Sequence, residues 1–460
     1  LKHTSSLIRK GCRIAAIKAG SSEAGSRAAS SHTGAMASPD VAVEALFRKA
    51  GIVRCHSRTE LAAVASLFTY PPVKGKKIAV VTHAGGPAVM LTDALSEGGM
   101  EVPHISGPVA ERLLQNLFPG SSVNNPIDFL ATGTAEQLGL IIDACENEFP
   151  EIDAMAVIFG SPGLFPVDDV YDLLNRKIHE CRKPIYPILP SVINVRREIA
   201  AFTAMGNTMF PDEVLFGRAL CKVYNTPAPA ERQSMSGITD IKVIRSVVES
   251  AGDGYLSPEN VTRLLKASGI LTVPEIVVRS EEEAVKKALA MGFPVVMKVV
   301  GPVHKSDVGG VVLNVKSAET VRYEFERMIS MPDVTGILIQ KMISGLELFC
   351  GVKREPEFGH LVMAGMGGVF IELFRDVATA LAPVSEAEAE SMIRSLKSYR
   401  ILKGVRGGKE ISEGAFINVI RSISAITEAA PEIFEMDINP LLASGDKIVA
   451  VDARIRIVRH

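Results

Sequence analysis

The chain has 460 residues, which at about 150 residues per domain corresponds to roughly three domains. Its 50 basic and 52 acidic residues give a net charge of −2 without a basic cluster, so the composition does not favour nucleic acid or an anionic membrane surface as a partner. The longest apolar runs have the length of a strand, and no apolar h-region follows a basic start, so we expect no secretory signal. Six scattered cysteines without a CxxC pair argue against a zinc site or a disulfide framework and predict a cytoplasmic location.

Strand and helix patterns alternate in the first half of the chain. Residues 13–18 predict a buried strand, and the small residues that follow at 19–31 predict a mobile loop. After a proline-rich break, residues 77–82 predict a strand that leads into a helix at 88–97. Because strands that alternate with helices form parallel sheets, we predict an α/β fold with a doubly wound parallel sheet over residues 71–225.

The second half of the chain has a different character. Residues 224–236 are polar and contain proline, which is typical of a linker. Ser257-Pro258-Glu259 then predicts the start of a helix, with proline at the first helical position and an acid in the first turn. The strands beyond it, among them 295–299 and 337–340, form a mixed pattern with hairpins. This pattern predicts an α+β domain.

Two loops of the first half could bind phosphate. Residues 18–35 surround His32 with small residues that can bring backbone N–H groups close to an anion, and a histidine suits nucleophilic work near neutral pH. Gly85 and Gly86 lie between a strand end and a helix start, where free N–H groups attract anions. Each loop also has a plainer interpretation: an exposed histidine in a flexible loop, and an ordinary turn between strand and helix.

The segment KAGSSEAGSRAASSHTGA at 18–35 resembles the phosphohistidine loop of the ADP-forming acetyl-CoA synthetases, a branch of the succinyl-CoA synthetase superfamily. HAGGPAVMLTDA at 83–94 and NNPIDF at 124–129 are similar to the ligase domain that follows it. The resemblance implies that His32 is phosphorylated and that two helix N-termini flank it, one at Thr33 and Gly34 and the other at Gly85 and Gly86. It also implies flavodoxin-like CoA-ligase domains followed by an ATP-grasp domain.

The nucleotide half carries a second set of candidates. A lysine on a strand beside a glycine-bearing loop can hold phosphates, and a backbone hinge with an acid after it can bind adenine and ribose. Together these segments resemble the ATP-grasp fold, and MAGMGGVFIE at 363–372 resembles its glycine-rich segment. The predicted ATP-binding residues are Lys298, Gly309, Gly310, Gln340, Lys341, Met342, Glu347, Gly367 and Gly368.

The last segments predict a metal site and two further catalytic residues. A hairpin between FEMDINP at 434–440 and VAVDAR at 449–454 would bring Asn439 and Asp452 together, and such oxygen ligands suit Mg²⁺ carried by a nucleotide. The resemblance implies that these two residues bind magnesium. It also implies that His304, in HKSDVGGV, receives phosphate near the nucleotide and that Asp437 steadies the phosphohistidine there; His304 could otherwise be a simple phosphate contact.

These assignments predict four segments: residues 1–70 as the end of the first CoA-ligase domain, 71–225 as the second, 226–240 as a linker and 241–460 as the ATP-grasp domain. The implied reaction is acyl-CoA + ADP + phosphate = carboxylic acid + CoA + ATP, with nucleotide, Mg²⁺ and coenzyme A as cofactors and substrates. The family's CoA-binding domain would precede Leu1, so we expect either a homodimer or an assembly with a CoA-binding domain or chain.

Three alternatives remain at this stage. One is another ATP-grasp carboxylate–amine ligase, which would not need a phosphohistidine loop. A second is a non-catalytic sensor of nucleotide or acyl-CoA, whose signature would be loss of His32, Lys298 or Asp452, and the sequence contains all three. The third, succinyl-CoA synthetase, is disfavoured by the fused domain order and by His304. Acetate is the acid that the resemblance implies, and ATP is not distinguished from GTP.

Overall fold

The computed structural model of the chain describes residues 1–33, 39–161, 166–231, 240–301, 309–368, 376–404 and 410–459, and for residues 29–33 it describes the backbone only. The chain divides into two units, Leu1–Pro229 and Ala230–His460. Over the described ranges, no helix combines the length and the apolar character that crossing a membrane requires.

The first unit contains two parallel sheets. Its larger sheet has the order β4-β3-β5-β6, which is the 2-1-3-4 order of a flavodoxin-like fold, and a separate parallel pair joins β1 to β2. The predicted doubly wound α/β class is therefore confirmed. The strands are β1 (Ala15–Ile17), β2 (Val53–Cys55), β3 (Ile78–Thr82), β4 (Ile127–Asp128), β5 (Ala154–Ile158) and β6 (Ile185–Ile188). The helices are α1 (Lys2–Arg9), α2 (Glu23–Thr33), α3 (Asp40–Ala50), α4 (Arg58–Leu67), α5 (Gly85–Glu97), α6 (Pro108–Gln115), α7 (Ala135–Asn147), α8 (Asp168–Glu180), α9 (Arg196–Ala204) and α10 (Glu213–Asn225).

The segment before His32 is not the loop that its small residues predicted. Its backbone is helical from Glu23 to Thr33. The Ser22 hydroxyl accepts a hydrogen bond from the Gly25 N–H at 3.1 Å, and Arg27 pairs with Glu23 one turn earlier at 2.7 Å. The alanines of this segment have a strong helix propensity, and an acid lies in its first turn, so both also favour a helix.

The second unit is built on a four-stranded antiparallel sheet and a larger sheet that is antiparallel except for the parallel pair β17–β8. Strands β9, β10, β11 and β12 form one in the order β11-β10-β12-β9, and the other runs β15-β14-β13-β16-β17-β8, with β18 paired to β16 and β7 paired to β18. These strands are β7 (Gly254–Tyr255), β8 (Leu271–Thr272), β9 (Glu275–Val278), β10 (Val295–Val300), β11 (Val311–Val315), β12 (Gly336–Lys341), β13 (Leu346–Glu355), β14 (Gly359–Met366), β15 (Val377–Leu381), β16 (Ile433–Ser444), β17 (Lys447–Ala450) and β18 (Ala453–Ile457). The helices are α11 (Ile241–Ser250), α12 (Pro258–Ala267), α13 (Glu281–Met291), α14 (Ala318–Ile329), α15 (Glu386–Arg394), α16 (Tyr399–Leu402) and α17 (Glu413–Ala429).

Each sheet of the second unit buries one face under helices. Val295, Met297 and Val299 of β10 belong to the core that includes residues of α13 and α14, whereas the larger sheet packs against α11, α12, α15 and α17. Because side chains alternate along a strand, the polar residues of β10 and β16 lie on the faces of the two sheets that point away from these helices. Helix α12 begins as predicted, with Ser257 accepting the Asn260 N–H and Pro258 in the first turn.

Candidate nucleotide site

Lys298 is the centre of the candidate site in the second unit. It lies on β10 between the core residues Met297 and Val299, so its side chain faces away from that core, and only 6% of it is exposed. Its ammonium donates a hydrogen bond to the Val451 carbonyl at 3.1 Å and lies 3.9 Å from Oδ2 of Asp452. A buried ammonium needs such partners, because desolvation of an unpaired charge is costly. The fold therefore holds a positive charge next to Asp452.

Asn439 and Asp452 meet in the middle of β16, where its pairing passes from β18 to β17. The Asn439 N–H donates to the Asp452 carbonyl at 3.0 Å, and the Gly368 N–H donates to Oδ1 of Asn439 at 3.5 Å. The predicted hairpin geometry is present, because Asp452 lies between β17 and β18, which both pair with β16. Two oxygen-bearing side chains fit a Mg²⁺ ion that takes its other ligands from phosphates and water. Within the described ranges, no group of three or more His, Cys, Asp or Glu residues forms a metal cage.

A cavity of about 140 Å³ opens beside Lys298, and we call it the Lys298 cavity. Its lining includes Glu275, Lys298, Asp452 and Arg454 together with apolar residues of α12. Burial raises the pKa of Glu275, although hydrogen bonds from Thr262 at 2.7 Å and Gln340 at 2.9 Å act in the opposite direction. The lining thus combines polar and charged groups with apolar side chains, as in many sites for small molecules.

The predicted hinge residues use their backbone N–H groups within the sheet. The Lys341 and Met342 N–H groups donate to the carbonyls of Pro274 and Pro294, both at 3.2 Å. Gln340 is 1% exposed and donates from Nε2 to Glu275 and to the Val451 carbonyl, while its Oε1 accepts no hydrogen bond from the described residues. Lys341 donates from Nζ to the Gly292 carbonyl at 2.6 Å. A nucleotide base at this hinge would have to use other groups than these two N–H donors.

Asp437 lies on β16 directly opposite Arg454 of β18. It lines a second cavity, of about 290 Å³, which we call the Asp437 cavity and which Arg454 also lines. Burial raises the pKa of Asp437, and the nearby Arg454 guanidinium only partly opposes this effect. Asp437 was among the predicted site residues, whereas Arg454 and Glu275, which also line these cavities, were not. The motif DAR at 452–454 contains Arg454 but gives no sign of the strand that it faces.

The glycine pair Gly367 and Gly368 lets Glu347 approach the end of β14. The Gly367 N–H donates to the Glu347 carbonyl at 2.8 Å, and Gly368 has a φ of +58°. A Cβ on Gly368 would overlap Oε2 of Glu347. The φ of Gly368 favours glycine, whereas the Glu347 carboxylate is the end of an exposed side chain and could turn away from a Cβ.

Replacing Gly368 with alanine is expected to destabilise the second unit about as much as the same change at Gly445. Gly445 has nearly the same φ, +59°, and open space around its Cβ position. Each change should lower the free energy of unfolding by about 1–2 kcal/mol through backbone strain. The Glu347 carboxylate that a Cβ on Gly368 would meet is the end of an exposed side chain, so it can turn into solvent at little cost. Urea unfolding of both variants measures the two losses, and a much larger loss at Gly368 would contradict the free movement of the Glu347 side chain.

The remaining predicted residues of the second unit lie around a segment outside the described residues. Gly309 has a φ of +67°, and the Gly310 carbonyl accepts the Val299 N–H at 2.9 Å, which places both glycines at the end of β10 nearest Lys298. His304 lies in residues 302–308, outside the described residues. Its assigned role stays a prediction.

In the first unit, the predicted phosphate-binding residues lie at two helix ends. His32 and Thr33 are the last residues of α2, with their side chains outside the description, and Gly34 lies outside the described residues altogether. Gly85 and Gly86 open α5, directly after β3. A Cβ on Gly86 would have no heavy atom within 4 Å, so space for a ligand exists beside this helix start. The approach of His32 to this helix stays a prediction.

Two family models match the chain. One, described as an ATP-grasp domain, covers residues 247–457, and one described as a succinyl-CoA ligase like flavodoxin domain covers residues 1–68. Among solved structures, a Ca. Korarchaeum cryptofilum dinucleotide forming acetyl-coenzyme A synthetase 1, in complex with coenzyme A, Ca-AMPCP and HgCl+, is 40% identical and matches 46% of this chain and 99% of that chain with a TM-score of 0.45.

Three curated relatives are similar over long stretches. Acetate–CoA ligase (ADP-forming) I of Archaeoglobus fulgidus is 32% identical over 458 residues, which is 96% of this chain and 66% of that protein. The 4-hydroxybutyrate–CoA ligase (ADP-forming) of Nitrosopumilus maritimus is 29% identical over 464 residues, with the same coverage. Acetate–CoA ligase (ADP-forming) I subunit beta of Pyrococcus furiosus is 40% identical over 225 residues, which is 46% of this chain and 96% of that subunit.

The flavodoxin-like sheet, the two sheets of the second unit and the ATP-grasp match define a protein of the ATP-grasp class. The chain belongs to the family of ADP-forming acetate–CoA ligases. It spans about two thirds of the length of the full-length curated relatives.

Proposed function

We propose that the chain transfers a phosphoryl group between a nucleotide and a histidine within an ADP-forming acyl-CoA synthetase. The overall reaction would be acyl-CoA + ADP + phosphate = carboxylic acid + CoA + ATP. The observation that carries the proposal is buried Lys298 beside Asp452 in the lining of one cavity, with Asn439 joined to Asp452 by a backbone hydrogen bond. A fixed ammonium next to oxygen ligands is the combination that nucleotide phosphates and their Mg²⁺ require.

At the nucleotide end, we assign each residue one task. Lys298 would bind phosphate oxygens, with Gly309 and Gly310 as backbone donors, and Glu347 would bind the ribose beside Gly367 and Gly368. Gln340, Lys341 and Met342 would line the base. Magnesium held by Asn439 and Asp452 would supply positive charge to the phosphate oxygens when it is bound.

At the acyl-CoA end, His32 would be the group that carries phosphate. Phosphate attack on the acyl-CoA releases CoA and gives an acyl phosphate, from which His32 takes the phosphoryl group and releases the carboxylate. Backbone N–H groups at Thr33 and Gly34, and those of Gly85 and Gly86 at the start of α5, would stabilise the negative charge. His32 would then deliver the group to ADP, through His304 or directly. Asp437 would hold the proton on the ring nitrogen that does not bind phosphorus.

Further assignments complete the proposal. We divide the chain into the parts of two CoA-ligase domains at 1–70 and 71–225, a linker at 226–240 and an ATP-grasp domain at 241–460. Acetate is the proposed acid, and 4-hydroxybutyrate is the alternative suggested by the second relative. In Pyrococcus furiosus the matching part is a separate beta subunit, so assembly with a CoA-binding domain or chain is proposed, as is a homodimer. The proposed location is the cytoplasm.

Exchange of the terminal phosphoryl group between ATP and labelled ADP is the first test, because this half-reaction needs neither acid nor CoA. With Mg²⁺ present we expect exchange, and removal of the metal with EDTA should lower it at least about 100-fold, since the phosphate charge is then uncompensated. Addition of acyl-CoA and phosphate to the chain, with and without a family alpha subunit, then measures ATP formation from acetyl-CoA against 4-hydroxybutyryl-CoA. Binding of Mg-ATP without exchange would support the sensor alternative.

A further inference from the structure

Arg454 lies at the boundary of the two cavities of the second unit. Its side chain lines the Lys298 cavity, together with Asp452, and the Asp437 cavity. It sits on β18 directly opposite Asp437 of β16, a position at which side chains on one face are about 5 Å apart at Cβ. A charged group placed there can contact a ligand in either cavity.

The neighbouring arginine on the same face shows what is unusual about Arg454. Arg456 lies opposite Glu435, with Nη1 at 4.0 Å from its carboxylate and the guanidinium 5.2 Å from the centre of the Phe434 ring. The Arg454 guanidinium acts electrostatically on Asp437 and Tyr255, yet it makes no hydrogen bond or ion pair with any residue that the structure describes. Its donors therefore remain available to a ligand.

We propose that Arg454 binds the phosphoryl group while it passes between the nucleotide and the histidine that receives it. The proposal rests on the function proposed above. The planar fork of an arginine can bind two phosphoryl oxygens at once, which a lysine cannot do. Lys298 and Arg454 would then hold the phosphate chain from two sides of the Lys298 cavity, with Asp437 beyond it.

The transfer balances without a further reactant. A neutral imidazole nitrogen attacks the γ-phosphorus, the N–P bond forms, and the bond from phosphorus to the bridging oxygen breaks. ADP leaves with that electron pair. The second ring nitrogen keeps its proton, so the ring gains a positive charge that the Asp437 carboxylate offsets. Arg454 stabilises the charge on the phosphoryl oxygens, as arginines do in other phosphoryl-transfer enzymes.

Single-turnover phosphorylation by γ-labelled ATP tests this role with a matched control. Arg454→Gln should lower the rate constant about 10³-fold, with the Kd for Mg-ADP changed less than about 10-fold, because the contact forms to the moving group. Arg454→Lys should recover only part of the rate, since it keeps the charge and loses the fork. Arg456→Gln, on the same face and strand, should stay within about 3-fold of the unchanged protein.

Chemical rescue distinguishes a direct contact from a structural effect. Low millimolar guanidinium should restore part of the rate to Arg454→Ala and none to Lys298→Ala. A wild-type rate in Arg454→Gln would overturn the inference, as would equal losses in Arg454→Gln and Arg456→Gln. If the glutamine variant does not fold, a fully active, folded Arg454→Lys would overturn it equally. Failure of the unchanged protein to be phosphorylated would instead count against the proposed function.

Discussion

Replacing Lys298 with alanine is expected to slow phosphoryl transfer about 10²- to 10³-fold and to raise the Kd for Mg-ADP about 10- to 100-fold. The reason is the position of the ammonium, which the fold buries and fixes at 3.1 Å from the Val451 carbonyl and 3.9 Å from Asp452. Such a preorganised charge needs little reorganisation when phosphate oxygens arrive. Calorimetry with Mg-ADP and single-turnover labelling measure the two quantities.

Lys298→Met and Lys286→Met provide the controls for this prediction. Methionine keeps most of the apolar stem of Lys298, so it separates loss of charge from loss of packing. Lys286 is exposed on α13, and its replacement should leave both quantities unchanged. Unchanged nucleotide affinity and unchanged rate in folded Lys298→Met would show that Lys298 is a buried structural lysine.

Replacing His32 with alanine is expected to abolish acyl-CoA-dependent ATP formation, by at least about 10⁴-fold, because no other group would carry the phosphate. The Kd for Mg-ADP should stay within about 2-fold, because all the proposed nucleotide-binding residues lie in the unit Ala230–His460. For Lys298, by contrast, we expect both the rate and the nucleotide affinity to fall. Coupled detection of ATP and calorimetry on the same preparation test it.

Two histidine variants sharpen the interpretation of His32. His104 is exposed in the first unit, and His104→Ala should keep full turnover. His304→Ala distinguishes a two-histidine relay from direct transfer: a relay predicts loss of labelling at His32, whereas persistent labelling would reduce His304 to an assisting residue. Measurable turnover in folded His32→Ala would contradict the assigned role of His32.

The sequence predicted the elements whose cause is local. Ser257 accepts the Asn260 N–H, as a cap at the predicted helix start should. The alternation of strands and helices predicted the parallel, doubly wound sheet of the first unit. The contact between Asn439 and Asp452 also followed from the sequence, because a single turn separates β16, which carries Asn439, from β17, which Asp452 follows by two residues.

Other features depend on information that the local sequence does not contain. Residues 19–31 were predicted to form a loop because many of their side chains are small. The Glu23–Arg27 pair and the alanines nevertheless favour a helix. The hinge N–H groups of Lys341 and Met342 donate hydrogen bonds to carbonyls some 50 to 70 residues earlier in the chain. Arg454 faces Asp437 only because of the register between β16 and β18, and a slip of one residue would move it to the other face.

The most direct measurement of the central claim is to incubate the chain with Mg²⁺ and γ-labelled ATP and to map the label on peptides kept at alkaline pH. We predict base-stable, acid-labile phosphate on His32, which unlabelled ADP removes to form labelled ATP. A folded chain that binds Mg-ATP but carries no label, or carries it only on hydroxyl side chains, would contradict phosphoryl transfer through this histidine.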